Sequence, residues 1–255
     1  MNRIEQYLIN NHVPEKVELI IQGGTFPALS MNYQSGFIAY ALKAMNDFSE
    51  IFFHQEFDIG KFKEFFMLPA SMRDQSRVDT INAKLLSIKG NTTLEIEKKR
   101  NETAKIRCIG LTIETRPDYG MLEHGNSMLD LAATRVELGI QSVYDNVLEA
   151  VKRGHDNKAS KESIAILKDL GFKINMHYML GLPSSSQEMD LSGLKTLFSD
   201  KDYRPDMLKI YPCLVMKGTA LYGDYINGKY KPLETKDAAS LIAEFKKDIP
   251  EYCRI

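Results

Sequence analysis

The chain has 255 residues, 44% of them hydrophobic and 26% charged, which is enough apolar material for a sizeable globular core. Its formal net charge of −1 excludes the strongly basic class of nucleic-acid-binding domain, so any phosphate-binding surface is a local patch or belongs to another segment. No apolar run of about 18 residues predicts a membrane span, the first residues lack the apolar core of a signal peptide, and three cysteines without an export signal predict a reducing, cytoplasmic setting.

Residues 2–12 read as a helix. Residues 17–22 are a short apolar run closed by Gly23, Gly24 and Thr25, the pattern of a buried strand ending in a tight loop. Residues 33–45 carry Phe37, Ile38, Ala41, Leu42 and Met45 at helical spacing. Residues 50–92 are less regular, and Phe52, Phe53, Phe57, Phe62, Phe65 and Phe66 read as packing residues on irregular or helical structure. Residues 93–105 form a polar helix candidate with Glu95 and Lys99 four apart.

From residue 106 strands and helices alternate. Strands are predicted at 107–114, 135–142, 172–180 and 207–211, with helices at 126–134, 145–152, 158–170, 187–198 and 236–247. This alternation predicts a parallel sheet with right-handed crossovers. Barrels of that class commonly occupy about 200–250 residues as one domain, so residues 1–255 are expected to form one partial barrel, with an insertion at 50–92.

Polar residues collect where the predicted strands end, the edge at which parallel sheets bind ligands. The doublet Gly23-Gly24 admits either a close backbone approach to a ligand or an ordinary turn. Glu114 and Arg116 admit either a ligand site, with an acid for hydroxyls and an arginine for a carboxylate, or a surface ion pair. His155 reads as a general acid or as a solvated loop histidine. Cys108, Cys213 and Cys253 are far apart in sequence, unlike cluster or zinc ligands, which come in closely spaced pairs. They read as small buried hydrophobes, with no metal site encoded.

Several longer stretches are more specific. Lys16-Val-Glu-Leu-Ile-Ile-Gln-Gly-Gly-Thr-Phe-Pro27, Ile109-Gly-Leu-Thr-Ile-Glu-Thr-Arg-Pro-Asp-Tyr119 and Thr134-Arg-Val-Glu-Leu-Gly-Ile-Gln-Ser-Val-Tyr144 are followed in order by Lys152-Arg-Gly-His155, Tyr178-Met-Leu-Gly-Leu-Pro183, Arg204-Pro-Asp-Met-Leu-Lys-Ile-Tyr-Pro212 and Lys217-Gly-Thr219. Together they resemble the radical S-adenosylmethionine (SAM) domain of the Elongator catalytic-subunit family, over about residues 12–48 and 93–255. The resemblance implies an α/β fold, an incomplete parallel (β/α) TIM-like barrel of the radical SAM type. It implies a tRNA wobble-uridine (U34) carboxymethyl-synthase or acetyltransferase, a transferase acting in tRNA processing.

The same resemblance implies SAM and acetyl-CoA as cofactors, with a 4Fe-4S cluster expected for the family. Matched position by position, Gly23, Gly24, Thr25, Glu114, Gln141, Arg153 and Gly181 correspond to SAM-binding positions and Lys16 to an acetyl-CoA-binding lysine. No catalytic residue is assigned. The family's cluster cysteines and acetyltransferase domain have no counterpart in the chain, so it is expected to be inactive alone and to bind tRNA weakly. The alternative is a catalytically silent binding or assembly module that pairs with a companion chain carrying the cluster and acetyltransferase parts. Fragment, split-gene half and decayed copy all remain open as its origin.

Overall fold

The computed structural model describes residues 1–71 and 73–255. They fall into two compact units: Met1–Leu19 with Leu29–Gly110, and Ile20–Ala28 with Leu111–Ile255. Two strands have residues in both units.

In chain order the first unit contains α1 (Asn2–Ile9), the beginning of β1 (Lys16–Ile21), α2 (Met31–Phe52), α3 (Ile59–Phe65), α4 (Gln75–Lys89), α5 (Leu94–Asn101) and the beginning of β2 (Arg107–Thr115). Three helix starts are set by side chains that accept a free backbone N–H: Asp58 from Lys61, Asp74 from Arg77 and Thr93 from Ile96. The phenylalanines of the irregular stretch form one aromatic cluster. Phe48 and Phe52 of α2 lie 4.5 Å apart by ring centroid, and Phe48 is 6.2 Å from Phe62 and 6.3 Å from Phe66. Polar contacts tie α5 to α2: Asn46 donates to the buried Glu97 carboxylate at 2.8 Å, and Asn101 donates to Asn46 at 2.6 Å.

The second unit takes the end of β1, the loop through Ala28 and the end of β2, then α6 (Leu122–Asp130), β3 (Arg135–Gln141), α7 (Asp145–Ala150), α8 (Asn157–Asp169), β4 (Lys173–Leu180), α9 (Gln187–Ser199), β5 (Met207–Pro212), α10 (Ala220–Ile226) and α11 (Thr235–Phe245). Helix α6 starts and stops four residues earlier than the spacing predicts. It ends where Ala132 adopts a positive φ of 64°, and Thr134 is drawn to the sheet, its Oγ1 accepting from Leu111 N at 3.2 Å. The short α10, capped by Thr219 accepting from Tyr222 N, has no counterpart among the predicted elements.

The five strands form one sheet in the order β1-β2-β3-β4-β5, and β2–β3, β3–β4 and β4–β5 are parallel. A strand order that follows chain order, without reversal, is the winding of a (β/α) barrel rather than of a doubly wound open sheet. The fold is therefore an α/β incomplete parallel barrel.

Parallel register places Ile113, Val136 and Ile174 side by side, and Thr115, Leu138, Met176 and Leu208 likewise. These residues form the face beneath the crossover helices, with α8 on β3 and β4 and α9 on β4. Val136, Leu138, Ile174 and Met176 are wholly buried there. Strand side chains alternate between faces, so Glu114, Glu137, Asn175, His177 and Lys209 belong to the opposite face, the barrel interior.

Candidate functional site at the strand C-termini

The candidate SAM residues all lie in the second unit, where its strands end. Gly23, Gly24 and Thr25 follow β1; Glu114 is the penultimate residue of β2; Gln141 closes β3; and Gly181 follows β4. Gly23 and Gly24 have φ of +102° and +104°, a region that disfavours side chains, and a Cβ on either would meet nothing within 4 Å. The space beside both Cα atoms is therefore open. Gly181, with φ +69°, is pinned from both sides: its N–H donates to the buried Asp190 carboxylate at 2.6 Å, and its carbonyl accepts from Tyr230 Oη at 2.6 Å.

Gln141 is buried and has a positive φ of 65°, unusual for a side-chain-bearing residue. The β3–β4 register shifts between Leu138 and Gln141, setting Gln141 opposite Tyr178. Such an irregularity re-aims a side chain at a sheet edge. Here Gln141 Oε1 accepts from Tyr211 Oη, from β5, at 3.0 Å.

Arg153, in the turn after α7, reaches back over β3, and its Nη2 donates to Gly139 O at 3.1 Å. A Cβ at Gly139 would lie 2.5 Å from that nitrogen, so a larger residue there would displace the guanidinium from this position. Arg153 has no carboxylate partner among the described residues, and its Nε is buried without a hydrogen bond. Burial lowers its pKa from the ordinary arginine value, and the nearby Arg116 adds to that. A half-buried, unpaired cation is costly and favours an anion beside it.

Arg116 is not available for that role. Its Nε donates to Asp118 at 2.9 Å and its Nη2 makes a second contact to the same carboxylate. Its partner is Asp118, and Glu114 turns instead toward the interior. His155 is half-buried, and desolvation, followed by Arg153, lowers its pKa. Lys16 is exposed, opens β1 and belongs to the first unit.

Beneath this edge lies a polar network that strand-end reasoning does not find. Glu137, 1% exposed, accepts from Asn175 Nδ2 at 3.0 Å and Lys209 Nζ at 2.5 Å, and lies 3.0 Å from His177 Nε2. His177 Nδ1 lies 3.7 Å from Glu114 Oε1. Burial raises the Glu137 pKa, but the bonds from His177 and Lys209 outweigh it and hold the carboxyl at about 2. The sequence signal was present as a period-two row of polar residues inside strands: Glu137 and Gln141, Asn175 and His177, Lys209 and Tyr211.

The profile of the radical SAM superfamily matches residues 77–190, and that of the radical SAM C-terminal domain matches residues 205–255. Fold and site therefore define a radical SAM barrel. The chain is 40% identical over 252 residues to a tRNA uridine(34) acetyltransferase of Methanocaldococcus infernus, covering 99% of this chain and 40% of the relative. It is 34% identical over 256 residues to human Elongator complex protein 3, covering all of this chain and 39% of the relative. The solved Methanocaldococcus infernus Elp3 lacking residues 1–46 superimposes with a TM-score of 0.80 at 40% identity, over 99% of this chain and 50% of that one. The chain belongs to the Elongator catalytic-subunit family and corresponds to its radical SAM portion, spanning about two-fifths of the length of these curated relatives.

That superfamily uses SAM and a 4Fe-4S cluster. The strand-end residues offer chemistry that suits SAM: a cation at Arg153 that could meet a carboxylate, and an acceptor at Glu114 that could meet hydroxyls. The residues present do not fit a cluster, whose irons are held by cysteine thiolates. Cys108 lies in β2, Cys213 just beyond β5 and Cys253 near residue 255, and burial raises the pKa of all three thiols. Among the described residues no group of three or more His, Cys, Asp or Glu side chains is placed to hold a metal.

Proposed function

We propose that this chain is the SAM-binding and tRNA-associated portion of a tRNA wobble-uridine modifying enzyme, and that it performs no radical chemistry as a single chain. The observation that carries the SAM assignment is Arg153, a half-buried guanidinium without a carboxylate partner, fixed over Gly139 beside Gln141 at the sheet edge. When bound, SAM would supply the adenosyl group. The chain's own residues would hold the methionine carboxylate at Arg153, the amino group near Gly23 to Thr25, and the ribose at Glu114. The relatives named for tRNA uridine(34) acetylation support the tRNA context. The scattered cysteines support inactivity of the lone chain.

Calorimetric titration of the chain with S-adenosylhomocysteine, which keeps the carboxylate and ribose, tests the assignment. Arg153→Met, which removes the charge and keeps most of the stem, is expected to weaken binding roughly tenfold or more, as loss of a charge-assisted hydrogen bond does. Equal affinity in the two proteins would refute the assignment.

A further inference from the structure

We propose that His177 and Glu137 are positioning residues for Glu114, and that through it they set the preference of this site for an adenosyl ligand with intact ribose hydroxyls. The proposal rests on the reading of the strand-end site as a SAM site.

The interior of a (β/α) barrel is ordinarily filled with branched aliphatic side chains. Here β3 places a carboxylate in that layer, 1% exposed, with Asn175 and His177 at 3% and 4%. A buried carboxylate is tolerated only when its oxygens are well supplied with donors. Asn175 Nδ2 takes one oxygen; His177 and Lys209 converge on the other. The donors come from β4 and β5, so three adjacent strands fix the carboxylate, and the carboxylate in turn fixes the imidazole ring.

With Nε2 committed to Glu137, the ring's other nitrogen points at Glu114. The 3.7 Å separation is longer than a hydrogen bond. A small rotation about the last torsion of Glu114 closes it, and such contacts often tighten only when a ligand arrives. Among the described residues no other side chain bonds or pairs with Glu114, whose side chain is 28% exposed. His177 is thus its one close ion-pair partner among the described residues, with Arg153 and Tyr211 acting on it electrostatically from further away. One oxygen held by His177 leaves the other turned to the mouth, where a carboxylate can accept from a pair of neighbouring hydroxyls. The His177 ring also meets Tyr211 edge-on at 6.1 Å, and Tyr211 bonds Gln141, so the network reaches the mouth on two sides.

The test compares S-adenosylhomocysteine with its 2′-deoxyribose counterpart, titrated into the full chain and its variants. The wild-type chain is expected to prefer the ribose ligand roughly tenfold, the worth of a hydrogen bond to a charged group. His177→Gln and Glu137→Gln should each remove most of that preference while leaving the affinity for the deoxy ligand unchanged. Glu114→Gln should also remove the preference, and adding His177→Gln to it should change the preference no further. Circular dichroism reports whether each variant folds, and Glu137→Gln, which keeps the side-chain volume, serves if His177→Gln does not.

If the interior variants weaken both ligands alike, or if the two effects add, the residues are merely structural and the proposal falls. If the wild-type chain binds the ligands and the variants keep its preference, this proposal alone falls. A wild-type chain that binds neither ligand overturns the SAM assignment and this proposal with it.

Discussion

Glu137 is the residue at which burial and charge compete most directly. Its carboxyl is held at about 2, against an ordinary 4.5, by His177 and Lys209. A depressed folded-state pKa stabilises the protein above the unfolded pKa, and the contribution fades as pH falls from 4.5 toward 2. Glu137→Gln removes that contribution at every pH. Its melting temperature should therefore lie below that of the wild type at pH 7, by the equivalent of about 1–3 kcal/mol, and the gap should narrow steadily from pH 5 to pH 3. Thermal melts of both proteins across that range give the answer; a gap that widens on acidification would mean that the carboxylate is not stabilised by its donors. At the same scale, Arg116 illustrates a residue whose type was suggestive but whose partner was not legible. Asp118 lies two positions away and takes the guanidinium, so the cation that remains for a ligand is Arg153.

At the scale of elements, the stretch 50–92 depends on aromatic packing more than on helix propensity. Helix α3 has only seven residues, too short to persist in isolation. It is held through Phe62, 3% exposed, whose ring lies 5.8 Å from that of Phe52. Phe52 is itself wholly buried and also meets Phe65 at 5.4 Å and Phe66 at 5.8 Å. Phe52→Ala is expected to cost about 3–5 kcal/mol in urea denaturation, with amide exchange of α3 accelerated more than that of β3 and β4. Uniform acceleration of all three would show that the cluster is not a local support. The strands were easier to read than this region, because each apolar run ends in a glycine or a polar residue and each is separated from the next by a helix-period segment. Helix α6 was displaced in the reading because its apolar residues continue to Ala133, past the point where tertiary pairing of Thr134 with Leu111 ends the helix.

Across the whole molecule, a net charge of −1 predicts weak binding to RNA. Lys158, Lys161, Lys168 and Lys201 line an open cleft of about 850 Å³ beside α8, together with Asp145, Glu162 and Asp202. Lys161 is bound to Asp200 at 2.7 Å, and Lys168 donates to the carbonyls of Tyr203 and Arg204. Few counterions would be released on binding, so tRNA affinity at physiological salt should be weak, with a shallow dependence on salt concentration. Filter binding or fluorescence anisotropy across a salt series measures both; tight binding with a steep slope would contradict this. What the sequence by itself determined is the winding of the barrel, the positions where strands end and the family, because turn residues, hydrophobic period and motif order are local properties of the chain. The tertiary structure alone decided that Glu137, Asn175, His177 and Lys209 meet. A strand's sequence states which residues alternate but not which face turns inward, and only the parallel register of β3, β4 and β5 brings residues up to 72 positions apart into contact around one buried carboxylate.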